Sequence, residues 1–363
     1  MEMKKGKLGA LFATTSIALA LGATVAFADT IQVDKGGDIA ALCGDKPTRV
    51  ALVDGYGGDT WRKITEAELR DEASKCANIT EVAYAEAGGD PQNYASLING
   101  YTAQGYDIIL AFTDFGDAAL PAYRSAFEAG VTMVPYFGNI SGEAGTDYAV
   151  NPYQDSIAIG AQFADWTGKA LGGKGNVLML GGPAGAASSQ DFMNGFKEGL
   201  KAYPELKLLD ENYIVTNWNP ADAQKATAGL IAQYPQIDAI ASDYGVTSLA
   251  ATKAFLQAGL PVPAMSSIAT SNEYNCMYLK AKADGTPWKY LALDGSTADV
   301  RFAMRQAMAK FQGLEITEPL GVVPYVYGDS ETGVDPKCSE TAPPDADLSS
   351  LLPEDKLNAL FQQ

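Results

Sequence analysis

From residue 48 onward, short apolar runs alternate with amphipathic stretches of helical length. Arg49-Val-Ala-Leu-Val53 reads as a strand, followed by the turn Asp54-Gly-Tyr-Gly-Gly58. A helix is expected over about 59–76, where Thr65, Leu69, Ala73 and Cys76 share one face and Lys63, Glu66 and Arg70 fall elsewhere. Strand signals recur at 81–84, 107–112 and 131–137. Asp90-Pro91 opens a helix to Gln104 as N-cap and first-turn proline, and another helix is expected over about 117–129. After the polar stretch 138–151 a second series begins. Its helices fall at 154–171, 188–203, 221–233 and 246–258, and its strands at 176–180, 206–214, 238–242 and 263–267. A strand at 291–294, a helix at about 297–312 and a strand at 321–326 follow. Such alternation demands parallel sheets with helices on both faces. The expected fold class is α/β: two doubly wound parallel-sheet lobes joined by a multi-strand hinge. One lobe takes 29–141 plus 295–314, and the other 142–294 plus 315–338. The Pro-, Asp- and Ser-rich end of the chain, including a tail at 339–363, is expected on the surface.

Lys4, Lys5 and Lys7 precede an apolar stretch that ends Ala26-Phe27-Ala28. This is the pattern of a secretory signal peptide over 1–28, with cleavage after Ala28. As a membrane anchor the run is short and too rich in Ala, Gly and Thr. No Cys sits at the processing site, so a lipid anchor is not expected. The net charge of −18 argues against nucleic acid or anionic membrane as partner. There is no His and no C-x-x-C, so neither a zinc site nor any other cofactor is expected. Cys43, Cys76, Cys276 and Cys338 allow three pairings. Export favours disulfides, and we expect Cys43–Cys76 and Cys276–Cys338, with free buried thiols as the alternative.

In parallel α/β sheets, ligands bind beyond the carboxyl ends of the strands. Two such sheets facing each other would line one cleft. The loops there carry Tyr56, Asp59, Trp61 and Arg62, then Tyr136, Phe137 and Asn139. The second series adds Gln190 and Phe192 after Leu180-Gly-Gly-Pro-Ala-Gly185, then Trp218, Asn219, Asp243, Tyr244 and Asp294. Aromatic rings suit the C–H faces of a sugar, and Asp, Asn, Gln and Arg suit its hydroxyls. An unmatched buried polar group costs about 1–3 kcal/mol, so such pairing confers specificity. Plainer roles compete. Trp61 could face the core, Arg62 could be a solvated helix charge, and Asp294 could cap the next helix. By alternation, either Tyr136 or Phe137 must face the core.

The segment Val50-Ala-Leu-Val-Asp-Gly-Tyr-Gly-Gly-Asp-Thr-Trp-Arg62 resembles the opening of periplasmic sugar-binding proteins of the ribose-binding type, whose core is shared with LacI-family repressors. Gly88-Gly-Asp-Pro-Gln92, Gly173-Lys-Gly-Asn-Val177, Gly195-Phe196 and Ser248-Leu-Ala-Ala251 extend the likeness along most of the chain. The resemblance implies a type I periplasmic binding fold that closes on a monosaccharide and delivers it to an ABC importer permease in the inner membrane. It matches Asp59, Trp61 and Arg62 to the family's first ligand loop and Phe137 to Asn139 to its second. Gln190 and Phe192 fall where the family often carries arginine. Trp218 matches an aromatic position, Asp243 and Tyr244 match an Asn/Asp position, and Asp294 lies near a polar contact. The fourth strand, however, ends in Phe137-Gly-Asn139 rather than Asp-Arg, and no arginine stands at 190–192. Another sugar, a polyol or a less hydroxylated ring is therefore expected in place of ribose.

An enzyme is the rival class. Without His, the usual Ser-His and Cys-His arrangements are excluded. Asp59, Asp243 and Asp294 could supply a glycosidase pair, but their context carries no mark of it. A sensor presenting its closed form to a chemoreceptor or kinase shares every feature above. A monomer suits lobe closure.

Overall fold

The computed structural model describes residues 1–2 and 30–362, so the expected leader and its cleavage after Ala28 lie outside the described residues. The chain enters through β1 (Thr30–Gln32) and then builds a first α/β unit. Its elements are β2 (Thr48–Asp54), α1 (Thr60–Ala73), β3 (Ile79–Glu86), α2 (Pro91–Ala103), β4 (Ile108–Phe112), α3 (Leu120–Glu128) and β5 (Thr132–Tyr136). The strands lie in the order β3-β2-β4-β5, all parallel. Side-chain caps start the helices: Asp59 accepts from the Arg62 amide, and Asp90, ahead of Pro91, accepts from that of Gln92.

The second unit follows β6 (Tyr153–Gln154). It comprises α4 (Ser156–Ala170), β7 (Lys174–Gly181), α5 (Ala187–Leu200), β8 (Glu205–Leu208), β9 (Ile214–Val215), α6 (Pro220–Gln233), β10 (Ala239–Ser242), α7 (Gly245–Gln257), β11 (Ala264–Ile268), α8 (Asn272–Ala283) and β12 (Tyr290–Leu293). The remaining elements are α9 (Asp299–Gln312), β13 (Gly321–Val323), β14 (Val326–Asp329) and α10 (Glu354–Leu360). The second sheet runs β14-β12-β11-β10-β7-β8 with β9 also beside β7, and β14 is its antiparallel edge.

Although α9 follows the second sheet, it packs on β4, β5 and α1. Val300, Ala303, Met304, Ala307 and Met308 share a core with Val50, Leu52, Ile108 and Leu110. The chain therefore crosses between lobes after β5, after β12 and after α9. A small parallel sheet, β1-β13-β6, gathers two of these crossings with the first described strand.

Three expectations need correction. The strand read at 206–214 is two short strands, β8 and β9, which pair different stretches of β7. The strand at 321–326 is split between two sheets around Pro324, which lacks the N–H a ladder needs. The chain end lies on the surface only in part: most of 335–345 and 353–356 is exposed, but a segment between them turns inward. Ala346 to Ser350 are buried, with Leu348, Leu352 and Leu357 packed against Ile64 of α1. Both disulfides form as expected, Cys43–Cys76 and Cys276–Cys338, with Cα separations of 5.3 and 5.0 Å. Among the described residues no helix is long and apolar enough to cross a membrane.

Candidate functional site: the cleft between the lobes

On the first lobe, Trp61 sits in the opening turn of α1, edge-on to Phe112 and Phe137 at 5.7 Å from each. Those two rings stack on each other at 4.5 Å. The Trp61 indole N–H donates to the Gly295 carbonyl at 2.7 Å, in the crossing after β12. Arg62 is only 8% exposed. Its guanidinium lies 3.8 Å over Phe112 and meets Asp114 at 2.7 Å and Asp54 at 3.3 Å. Burial pushes Asp54 up to about 7 although Arg62 pulls the other way. Burial also opposes the Arg62 charge, but Asp114 and Asp54 outweigh it and keep the guanidinium ionised.

On the second lobe, Trp218 is 39% exposed and donates through its indole N–H to Asp243 at 3.2 Å. The other Asp243 oxygen accepts from the Ser189 hydroxyl, which itself accepts from the Gly182 amide at 2.9 Å. Burial pushes Asp243 up to about 6, opposed by the Ser189 and Trp218 hydrogen bonds. Gly182 lies beneath the indole, where a Cβ would fall 2.3 Å from the ring. Burial, with the Asp59, Asp347 and Asp345 carboxylates, pushes the Tyr244 phenol up to about 12. Asp59 belongs to the first lobe and the other two to the chain end, so Tyr244 marks where three segments converge.

Backbone strain concentrates here. Among the described residues, the non-glycine residues with positive φ are Phe137 (83°), Asn217 (53°), Trp218 (49°), Ala269 (54°) and Ser296 (55°). Each lies just beyond the carboxyl end of a strand: β5, β9, β11 or β12. Such conformations cost of order 1–3 kcal/mol and cluster at functional sites.

Trp61 packs with Phe137 on the first lobe, and Trp218 bonds Asp243 on the second. Asp59 is exposed and caps α1. Other candidates have different duties. Phe192 is a correction: it stacks on Phe163 at 6.0 Å in the core between α4 and α5. Gln190 is another, because it is exposed and bonded to Asn194, and Ser189 takes its place. Tyr136 is 1% exposed in the first core, the inward partner that alternation required. Arg62 serves the internal ion pair, not solvent. Asn219 caps α6. Asp294 is buried and accepts from the amides of Ser296 and Tyr325, bracing two crossings. Tyr56 stays exposed near Phe115, and Asn139 is exposed. Phe112, Asp114, Ser189, Gly182 and Gly295 were missed, although Phe112, Asp114, Gly182 and Gly295 lie at or just beyond strand ends. Among the described residues no group of three or more His, Cys, Asp or Glu could hold a metal.

Residues 50–315 match the model of a family described as periplasmic binding protein domain. The chain belongs to this family. The xylitol-binding protein of Mycolicibacterium smegmatis is 27% identical over 329 residues, covering 89% of this chain and 86% of that one. Two solved structures share the fold. The arabinose ABC transporter binding component of Shewanella sp. ANA-3, bound to L-arabinofuranose, superposes with a TM-score of 0.66 at 19% identity, covering 77% of this chain and 92% of that one. The Caulobacter myo-inositol binding protein, bound to myo-inositol, gives 0.65 at 21%, covering 77% and 93%. The periplasmic binding family and type I fold expected from the sequence are thereby met. Its crossing strands are those of a two-lobe binding protein, and its family is one of binding proteins, not enzymes.

Proposed function

We propose that this chain captures a neutral polyhydroxylated molecule, a polyol or a sugar, between its lobes and presents the closed form to the permease of an ABC importer. The observation that carries the reading is that two indoles beyond strand ends, Trp61 after β2 and Trp218 after β9, are each anchored through the N–H. Trp218, 39% exposed, offers ring surface to meet C–H groups. Asp243, beside Trp218, supplies an acceptor for hydroxyl groups. No bond is made or broken: capture needs only differential affinity for the closed state. The missing arginines around 190–192 and the relation to a xylitol-binding protein both favour a polyol over ribose. The basic and apolar N-terminus supports export through a cleaved leader and action in the periplasm, and the two-lobe design supports a monomer.

The test is a thermal-shift screen of the chain lacking residues 1–28 against xylitol, myo-inositol, L-arabinose and ribose, with amino acids as controls. A ligand at one hundred times its Kd stabilises by about 2.7 kcal/mol, which is visible as a rise in Tm. Response to an amino acid, with none to any sugar or polyol, would overturn the reading.

A further inference from the structure

The match to the family ends at residue 315, and the last part of the chain lies beyond it. That part is bound to both lobes. On the second lobe, Cys338 is tied to Cys276 of α8. Asn272, at the start of α8, donates its side-chain amide to the carbonyls of Ser339 and Ala342, and its backbone amide to that of Ala346. On the first lobe, Glu68 of α1 accepts from the Ser350 hydroxyl and from the amides of Leu351 and Leu352 at 2.8 and 3.1 Å. Lys356 pairs with Asp71, Thr60 donates to Asp345 at 2.6 Å, and Leu352 and Leu357 pack in one core with Ile64. Between these anchors, Ser349 accepts from the Gly295 amide at 2.8 Å, and Asp347 lies so close to Gly295 that a Cβ there would sit 1.5 Å from its carboxylate. Gly295 is also the acceptor for Trp61.

We propose that residues 338–360 are a strap that positions Trp61 against the second lobe and limits how far the lobes part. Moving α1 away from α8 strips Glu68 or Asn272 of several partners in a buried setting, where each unmet group is costly. The strap thus keeps the empty protein near its binding-competent shape. A ligand's apparent affinity falls in proportion to the competent fraction. Its bearing on ligand exchange rests on the capture reading above; its bearing on lobe separation does not.

Ending the chain after Ser339 keeps both disulfides and removes the reach to α1. The expected result is a larger radius of gyration by solution X-ray scattering without ligand, and a xylitol Kd raised about tenfold, matching a tenfold loss of competent population. Loss of Tm alone would mean a merely structural role. If the shortened chain does not fold, Leu352→Asp with Lys356→Ala, which frees the strap from α1 at full length, replaces it in both measurements. A folded variant with an unchanged radius of gyration overturns the strap. Failure of the intact protein to bind xylitol bears on the ligand instead and leaves the scattering result to decide.

Discussion

The indole nitrogen of Trp61 and the carbonyl oxygen of Gly295 are 2.7 Å apart, and their bond joins the first turn of α1 to the crossing that leaves the second sheet. Trp61→Phe keeps a ring against Phe112 and Phe137 but removes the N–H, whereas Trp61→Ala removes both. Calorimetric titration is expected to show weaker binding in each, with Ala the worse. Equal loss in the two would place the whole effect in the hydrogen bond.

Gly295 has no room for a side chain between Asp347 and Trp61. Gly295→Ala is expected to destabilise the fold by about 1–3 kcal/mol through overpacking, read from urea unfolding, and to weaken binding together with it. A neutral result would mean that the strap yields easily at this point.

On the second lobe, Trp218→Ala should weaken binding with little change in Tm, because the ring is partly exposed and its loop is strained. Gly182→Ala should reproduce part of the defect by lifting the indole away from Asp243. Normal affinity in both would remove Trp218 from the site.

Stability should depend on pH through carboxyls held above their ordinary range. Burial pushes Asp347 and Asp243 each to about 6, and Asp54 to about 7, against an ordinary value near 3.8. The native state holds these protons more tightly than the unfolded chain. Their contribution is therefore fully present below about pH 4 and is lost as pH rises through 6 to 7. Glu72 runs the other way. Burial would raise it, but Lys75 and Arg305 outweigh that and hold it low, so acid costs stability there. Asp347→Asn is expected to flatten the decline between pH 5 and pH 8 by on the order of 2 kcal/mol in urea unfolding. An unchanged slope would show that Asp347 titrates normally.

The disulfides close spans of 33 and 62 residues. In the chain-entropy account each contributes about 4 kcal/mol. Cys43→Ser with Cys76→Ser is expected to lower Tm without altering ligand exchange. Cys276→Ser with Cys338→Ser should lower Tm and also speed xylitol release, because it frees one end of the strap.

The sheets were legible because β2, β4, β5, β7 and β10 are apolar runs bounded by turns. The helix α8 was not, since Tyr274 and Tyr278 carry its buried face among Asn, Glu and Lys. The strap reads as solvated from its Pro and Asp content, yet Asn272 satisfies its carbonyls from far away in the chain. In the site, the two tryptophans were legible from polar loop surroundings. The fate of Arg62 depends on Asp114, 52 residues on, and no local pattern announces such a pair. Phe192 was misplaced because helix phase decides whether residue 189, 190 or 192 points at Asp243, and the loop before α5 hides that phase.

The β1 pairing carries a practical consequence. Thr30–Gln32 run alongside Gly321–Val323, so this strand is laced into the pivot about which the two halves would turn. A purification tag or fluorescent fusion placed just ahead of Thr30 would load that joint and distort any recorded swing. The same cargo beyond Leu360 would follow α10, which packs on α1 and takes no part in that small sheet.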